Sequence, residues 1–378
     1  MRIRHRNLVS KKMAIAAAAA LAFGLGGCNR QTTAALEPQL SVPPVQAVEQ
    51  PARISGASYS AVAYQGSGGL LAMKAATAYQ AGFTGAGVRI AIIDSGIALK
   101  AAAFAGRIDP DSSDVAGARS IDDMAGHGTP IAAIAAGAGT GEGDRMMGVA
   151  FGSSLLVLRS DAPGSCDTEE GCTHRDRDIA HGIDRAVERG ARVINLSLTG
   201  DEIEPVLRAA IDRATARDVI IVLAAGNEGA ARPGRFALIA DDEKIAKGRV
   251  IIVGSHDRDG RKSSFSNAAG PGATHYIMAM GEEVRSFDHQ GRIWLYSGTS
   301  YAAPQVAGAL ALLAQAYPWM DGRDLVDRLL ASGVDMGAPG VDAVYGHGRL
   351  DLSRAFPVSE PLLYAANAVH PAGVISAE

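Results

Sequence analysis

The sequence lacks several features that mark common functional classes. Its 36 basic and 40 acidic residues give a formal net charge of −4, so it has no positive excess of the kind that binds nucleic acid. It has no internal repeat and no glycine-rich phosphate loop with the lysine and the spacing that nucleotide binding needs. It also has no loop of alternating acidic residues typical of calcium sites, so we expect no cofactor or metal, with calcium left open. These absences direct attention to chemistry carried by side chains alone.

The N-terminal segment has the pattern of an export signal. Several basic residues are followed by an apolar run that is too short to span a bilayer comfortably. The stretch Leu25-Gly26-Gly27-Cys28 resembles the lipobox of bacterial lipoproteins, in which the cysteine becomes the lipidated first residue. Residues 1–27 are therefore predicted to be a lipoprotein signal peptide. A plain signal peptide or an uncleaved anchor is the alternative.

The residues after this signal suggest a tether that leads to one domain. Asn29 follows Cys28, where an aspartate would resemble an inner-membrane retention signal, so the resemblance implies an exported outer-membrane lipoprotein facing the periplasm or the cell surface. The lipid would anchor an otherwise soluble chain to the membrane. Residues 28–69 are rich in Ala, Gln, Pro and Ser and are predicted to form a flexible tether. Residues 70–356 are predicted to be one domain, and residues 357–378 a C-terminal tail without the strands of a membrane barrel.

Short apolar runs alternate with amphipathic segments along the predicted domain. The runs are bounded by turn residues and are rich in β-branched side chains, which is typical of buried strands. Strands are predicted at residues 88–93, 155–159, 191–198, 219–225 and 249–255, and helices at residues 70–85, 129–138, 177–190, 204–217 and 297–313. This alternation predicts an α/β fold, a doubly wound and mostly parallel sheet flanked by helices. Such sheets bind ligands at the carboxyl ends of their strands.

Two cysteines lie close together in a polar segment. In an oxidising compartment, Cys166 and Cys172 most simply form a local disulfide. Free thiols are one alternative. A metal site that includes His174 is another, but a fourth ligand is lacking nearby.

Four polar residues follow strands or begin helices at the edge where ligands are expected. They are Asp94, His127, Asn227 and Ser300. A serine hydroxyl becomes a nucleophile when a histidine takes its proton and a buried carboxylate orients that histidine. The negative oxygen formed on the substrate needs hydrogen-bond donors, which the Asn227 amide and the Ser300 backbone N–H could supply. These four residues are therefore candidates for this kind of catalysis.

Four motifs in this order resemble those of the subtilisin-like serine proteases, or subtilases. They are IAIIDSGI, GHGTPIAAIAAG, AAGNEG and GTSYAAPQVAGALALL, and the resemblance spans about residues 70–355. The segment SYAAPQVAG is most similar to the corresponding motif in subtilase passenger domains of bacterial autotransporters. The resemblance implies that Asp94 orients His127, that His127 is the general base and that Ser300 is the catalytic nucleophile. Asn227 would be the oxyanion donor. The resemblance also implies substrate-binding walls at Ser197, Leu198, Thr199, Gly200, Ala224, Ala225 and Gly226, the first segment pairing with an extended peptide.

The expected function is a lipid-anchored serine endopeptidase that acts on proteins or peptides through an acyl-enzyme. Thr199 stands where the family usually has glycine, which should narrow or polarise the pocket for the residue before the cleaved bond. Two aspartates near the histidine, Asp122 and Asp123, are interpreted as solvated loop acids. The alternatives are a catalytically silent peptide-binding protein of the same fold and an esterase, although the Gly-x-Ser-x-Gly turn of α/β-hydrolases is missing.

Overall fold

A seven-stranded parallel sheet forms the centre of the structure, a computed structural model that describes residues 61–139, 146–166, 171–200 and 202–356. In chain order its strands are β1 (Arg89–Asp94), β2 (Ser113–Asp114), β3 (Ser154–Arg159), β4 (Val193–Leu196), β5 (Ile220–Ala224), β6 (Val250–His256) and β7 (Tyr276–Met280). Their spatial order is β2-β3-β1-β4-β5-β6-β7, and all neighbouring pairs are parallel. A second, antiparallel sheet consists of β8 (Val284–Phe287) and β9 (Ile293–Tyr296).

Helices precede, connect and follow these strands. They are α1 (Ala61–Gly66), α2 (Gly68–Ala72), α3 (Ala76–Gln80), α4 (Gly128–Ala136), α5 (Asp176–Glu188), α6 (Pro205–Ala216), α7 (Glu243–Ala246), α8 (Thr299–Ala316), α9 (Gly322–Ala331) and α10 (Leu352–Ala355). Short 3₁₀ helices lie at Ala102–Phe104, Ala237–Asp241 and Gly270–His275. Among the described residues, none of the helices combines the length and the apolarity needed to cross a bilayer.

The sheet is buried on both faces, as the predicted doubly wound fold requires. Successive side chains of a strand point to opposite faces, and β1 shows this clearly. Ile90 and Ile92 belong to the core shared with α4 and α8, whereas Ala91 and Ile93 belong to the core shared with α5 and α6. All four side chains are fully buried. The apolar runs in the sequence therefore arise from two cores, and the predicted fold class is confirmed.

The N-terminal helices differ from the sequence prediction. The single helix predicted over residues 70–85 is divided into α2 and α3, because Lys74 adopts a left-handed backbone conformation with φ of 56°. This break lets the Lys74 ammonium reach Asp351, 2.5 Å away. Ordered structure also begins before residue 70, since α1 lies within the predicted tether and its Ala63 is buried in the core. The signal peptide, most of the tether and the C-terminal tail lie outside the described residues.

Candidate active site

An aspartate and a histidine are brought into contact at the carboxyl edge of the sheet. Asp94 is the last residue of β1, and His127 immediately precedes α4. His127 Nδ1 lies 2.8 Å from Asp94 Oδ1 and 3.0 Å from Oδ2, and both side chains are buried. Because an ionised carboxylate can only accept a hydrogen bond, Nδ1 carries the proton and Nε2 is the basic nitrogen.

The surroundings of His127 favour its charged form. Burial alone would lower the pKa of the imidazole. The charge and hydrogen bond of Asp94, with the charge of Asp123, outweigh burial and raise the pKa of His127 above its usual 6.5. The ring can therefore take up a proton more readily than an exposed histidine, which suits a general base.

Asp123 is a buried part of this site, and its interpretation as a solvated loop acid was wrong. Its side chain is 1% exposed, whereas the neighbouring Asp122 is exposed. Asp123 Oδ2 accepts hydrogen bonds from Thr129 N at 2.8 Å and Thr129 Oγ1 at 2.7 Å, and Oδ1 accepts from Ser95 Oγ at 2.9 Å and Gly126 N at 2.8 Å. These bonds compensate the burial of its charge. Asp123 therefore holds the loop that carries the histidine.

The serine lies at the start of the buried helix α8. Ser300 is the second residue of this helix and is 6% exposed. Its Oγ donates to Ser197 O over 3.2 Å, and Ser197 Oγ donates to Ser300 O over 2.8 Å. The Ser300 carbonyl can accept this bond because residue 304 is a proline, which has no N–H for the usual helical bond. Ser300 is thus held against the segment that follows β4.

Asn227 is oriented by the same helix end. It follows β5, and its Oδ1 accepts hydrogen bonds from Thr299 N at 2.8 Å and Thr299 Oγ1 at 3.0 Å. Because the side-chain oxygen is fixed by these donors, Nδ2 is the group that remains to donate. A Cβ atom placed on Gly298 would lie 3.4 Å from Nδ2, which locates the amide beside the helix N-terminus. N–H groups of a first helical turn lack helical acceptors, so this region can stabilise a negative oxygen.

The histidine and the serine are brought together by packing of α4 against α8. The His127 ring centroid lies 5.8 Å from that of Tyr301, the residue after Ser300. The end of β1, the start of α4 and the start of α8 therefore share one site. The structure brings together the four predicted polar residues, Asp94 included, at the predicted edge of the sheet.

The two predicted substrate-binding segments border this site. Both end beside the serine, since Ser197 exchanges hydrogen bonds with Ser300 and Gly226 N donates to Thr299 Oγ1 over 3.2 Å. Their exposure differs along the chain. Ser197, Leu198, Ala224, Ala225 and Gly226 are buried, whereas Thr199 and Gly200 are half-buried. Thr199 is therefore the side chain of these segments that is best placed to face a ligand.

A buried asparagine of β4 was missed in the sequence analysis. Asn195 is fully buried in the middle of the sheet, and its Nδ2 donates to Ser197 Oγ over 3.0 Å. This bond orients the hydroxyl that holds the Ser300 carbonyl. The sequence feature that could have revealed it is an asparagine within an apolar strand, because a buried amide needs hydrogen-bond partners and rarely lies in such a run without a role.

The two nearby cysteines form the disulfide that the sequence favoured. Cys166 and Cys172 are bridged. His174 contacts Ser160 rather than a metal cluster: its Nδ1 lies 2.8 Å from Ser160 Oγ, and burial lowers its pKa to about 4. Within the described parts of the chain, no group of three or more His, Cys, Asp or Glu side chains could hold a metal ion.

Comparisons of sequence give one family. Residues 85–348 match the profile of the Subtilase family. The chain is 32% identical over 290 residues to Subtilisin DY of Bacillus licheniformis, an alignment that covers 76% of this chain and 97% of that protein. It is 30% identical over 335 residues to Alkaline protease of Alkalihalobacillus alcalophilus, which covers 86% of this chain and 80% of that protein.

Comparisons of structure agree with this result. A mutant of the protease domain of PatA is similar with a TM-score of 0.57 and 26% identity, over 71% of this chain and 94% of that chain. The Prenylagaramide maturation protease PagA is similar with the same TM-score and 24% identity, over 71% of this chain and 92% of that chain. The second similarity concerns the fold alone.

Proposed function

Because the chain belongs to the subtilase family and is a subtilisin-like serine endopeptidase, we propose that Ser300 is its nucleophile, with His127 as general base and Asp94 as the orienting carboxylate. The observation that carries this proposal is the buried contact of His127 Nδ1 with Asp94, at 2.8 Å, beside the end of α8 that carries the serine. Substrates are proteins or peptides.

The acylation step uses these side chains in sequence. His127 Nε2 removes the proton of Ser300 Oγ as that oxygen attacks the peptide carbonyl carbon. The carbon–nitrogen bond then breaks, and the imidazolium gives the proton to the leaving amine. Ser300 Oγ exchanges its bond to Ser197 O for one to His127 by rotation about χ1 between staggered positions. Catalytic hydrogen bonds are often absent or long in the free enzyme and form fully when substrate binds.

The deacylation step repeats the chemistry with water. His127 takes a proton from a water molecule, the resulting nucleophile attacks the acyl carbon, and Ser300 Oγ leaves with the proton returned by His127. Both steps pass through a negatively charged tetrahedral oxygen. We assign its stabilisation to Asn227 Nδ2 and the Ser300 N–H, which lie at the positive end of α8.

Replacing Asn227 tests this oxyanion site. We expect Asn227→Ala to lower kcat about 100-fold or more with little change in KM, because the donor acts mainly in the transition state. Asn227→Asp separates this role from packing, since it keeps the oxygen that Thr299 N binds and removes the donor. Steady-state kinetics on a peptide substrate would measure both, and near-normal kcat in Asn227→Asp would contradict the assignment.

The pH dependence of activity tests the role of His127. The neutral ring is the active form, so kcat/KM should fall as pH drops through a pKa above 6.5. Asp123→Asn removes a negative charge that raises this pKa, and we expect the acid limb of the profile to move to lower pH. The exposed Asp122→Asn is the matched control and should leave the limb in place. An unmoved acid limb in Asp123→Asn would refute this electrostatic role.

We propose that the segments 197–200 and 224–226 bind the acyl side of the substrate. One end of each segment lies beside the start of α8, where Ser197 contacts Ser300 and Gly226 contacts Thr299, and the residue before the cleaved bond must lie there. An extended peptide can pair with the first segment through backbone hydrogen bonds, which bind many sequences. The half-buried Thr199 adds a methyl and a hydroxyl group to this wall and should favour smaller side chains.

We also propose that the protein is exported and anchored through a lipid on Cys28. This residue lies outside the described part of the chain, and the proposal is supported by the N-terminal signal pattern and by the Cys166–Cys172 disulfide, which is typical of oxidising compartments. Mass spectrometry of the mature N-terminus tests it. A diacylated N-terminal peptide that starts at Cys28 is expected, and an unmodified start elsewhere would contradict it.

A further inference from the structure

A row of aromatic side chains leads from the histidine to strand β9, which also carries an exposed tryptophan. The Tyr301 ring lies 5.8 Å from His127 and 4.8 Å from Tyr296, measured between ring centroids. Tyr296 is the last residue of β9. Trp294 lies two residues earlier in β9, and alternate residues of a strand share one side, so Trp294 and Tyr296 lie on the same side of the hairpin.

Trp294 is exposed but firmly held. Its side chain is 45% exposed, yet its Nε1–H donates to Asp288 Oδ2 over 2.9 Å. The Arg292 guanidinium lies 5.6 Å from the centre of the indole. Burial would raise the pKa of Asp288, but hydrogen bonds from Trp294 and Arg292 outweigh it and lower the pKa to about 2. The acceptor therefore stays ionised, and a rigid exposed indole is a typical anchor for a partner's apolar side chain.

The hairpin that carries Trp294 adjoins the loop that carries His127. A Cβ atom on Gly126 would lie 2.8 Å from His289 Nδ1, so the turn between β8 and β9 touches this loop. The same loop exposes Met124, whose side chain is 70% exposed. Met124 and Trp294 are thus two large apolar side chains that are exposed on adjoining segments beside His127.

The position of this hairpin defines the part of a substrate that it meets. The two substrate-binding segments and Asn227 occupy the acyl side of Ser300, whereas His127 must deliver its proton to the leaving amine. The polypeptide after the cleaved bond therefore departs on the His127 side. Two residues of extended chain span about 7 Å, the spacing from Tyr296 to Trp294 along β9.

We propose that Trp294 binds a large apolar side chain of the substrate at the second or third residue after the cleaved bond. This proposal rests on the roles assigned to Ser300 and His127. It names a specificity-determining residue on the leaving-group side, and it predicts that cleavage sites are selected on both sides of the bond.

The test compares substrates within one enzyme. Two fluorogenic peptides would be identical on the acyl side and carry leucine or glycine at the second and third positions after the bond. We expect the wild type to prefer the leucine peptide by about tenfold in kcat/KM, Trp294→Ala to lose this ratio and Trp294→Phe to retain most of it. Because both peptides are measured with the same preparation, the ratio does not depend on how much enzyme is folded.

The chain offers a matched control, since Trp319 is its other tryptophan and is 59% exposed. Trp319 follows α8, at the opposite end of that helix from Ser300, and Trp319→Ala should keep the wild-type ratio. A wild-type enzyme without the leucine preference, or a Trp294→Ala variant whose ratio falls less than about threefold, would overturn the proposal.

A binding measurement separates this proposal from the catalytic one. In the double variant Ser300→Ala and Trp319→Phe, Trp294 is the single tryptophan, and its fluorescence should change on titration with the intact leucine peptide but not with the glycine peptide. If the wild type cleaves neither peptide, the catalytic proposal fails while this titration still reports on Trp294. Identical responses to both peptides would count against the apolar site.

Discussion

Replacing Ser300 by alanine is expected to lower peptide hydrolysis by at least about 10⁴-fold. The variant keeps the fold, because Ser300 Oγ makes one 3.2 Å bond to Ser197 O and the hydrogen bond at the Ser300 carbonyl does not involve the side chain. It removes the atom that forms the acyl-enzyme, so the residual rate should come from substrate binding and the oxyanion donors alone. Initial rates at saturating and limiting substrate would give kcat and kcat/KM.

Ser297→Ala is the matched control for this prediction. Ser297 lies three residues earlier, is half-buried, and its Oγ accepts a hydrogen bond from Glu283 N. Loss of that bond should change activity by severalfold at most. Comparable losses in the two variants would indicate a structural effect, and a Ser300→Ala enzyme with substantial turnover would mean that another nucleophile acts.

Replacing Asp94 by asparagine is expected to lower kcat about 10⁴-fold near neutral pH, with KM nearly unchanged. In the wild type, the Asp94 carboxylate accepts a hydrogen bond from the N–H at His127 Nδ1, so Nε2 stays basic. An asparagine amide can instead donate to Nδ1, which would place the proton on Nε2 and remove the base that faces the serine. The fall should be smaller at pH values below the pKa of wild-type His127, because loss of the Asp94 charge lowers that pKa and leaves more of the ring neutral.

Two measurements control the Asp94 prediction. Thermal unfolding should show that Asp94→Asn remains folded, although Ser95 N also donates to Asp94 Oδ1 over 2.7 Å. Asp123→Asn, in contrast, should retain much of kcat at its own pH optimum, since Asp123 acts through the loop and through its charge. Equal losses of kcat in the two variants would contradict the assignment of Asp94, rather than Asp123, as the carboxylate that orients His127.

The sheet could be predicted because its strands are buried on both faces. β1, β3, β4, β5 and β6 appear as short apolar runs, and their alternation with amphipathic helices is sufficient for a doubly wound fold. β7 and the hairpin of β8 and β9 were not predicted. β7 carries tyrosine, methionines and alanine with a single β-branched residue, so it lacks the β-branched runs of the other strands. β9 exposes Ile293, Trp294 and Leu295 together, so it shows no alternation of apolar and polar residues.

The division between α2 and α3 also could not be read from the sequence. A run rich in alanine favours a continuous helix, and Lys74 is not a residue that usually ends one. The break coincides with the left-handed conformation of Lys74, whose ammonium pairs with Asp351 far away in the chain, and neither feature leaves a local signal in the sequence. Other contacts hold residues 61–69 in the folded domain, since Met147 N donates to Ser67 Oγ over 3.0 Å and Ala63 is buried in the core.

The four polar residues of the candidate site were predicted from the sequence, but Asp123 and Asn195, which hold the segments around them, were not. Asp94, His127, Asn227 and Ser300 stand at element ends, where the sheet topology directs the search. Asp123 was misjudged because its partners are backbone N–H groups and the hydroxyls of Ser95 and Thr129, which are uncharged and leave no charge pattern in the sequence. Roles for the substrate-binding segments came from family resemblance, and they remain proposals.

Active-site labelling is the most direct test of the central claim, that Ser300 is made nucleophilic by His127 and Asp94. The purified protein would be treated with a fluorophosphonate, and its adduct located by peptide mass spectrometry. We predict one adduct per molecule, on Ser300, formed faster as pH rises through the pKa of His127 and reduced strongly in the Asp94→Asn variant. No adduct, or an adduct on a different serine, would contradict the account.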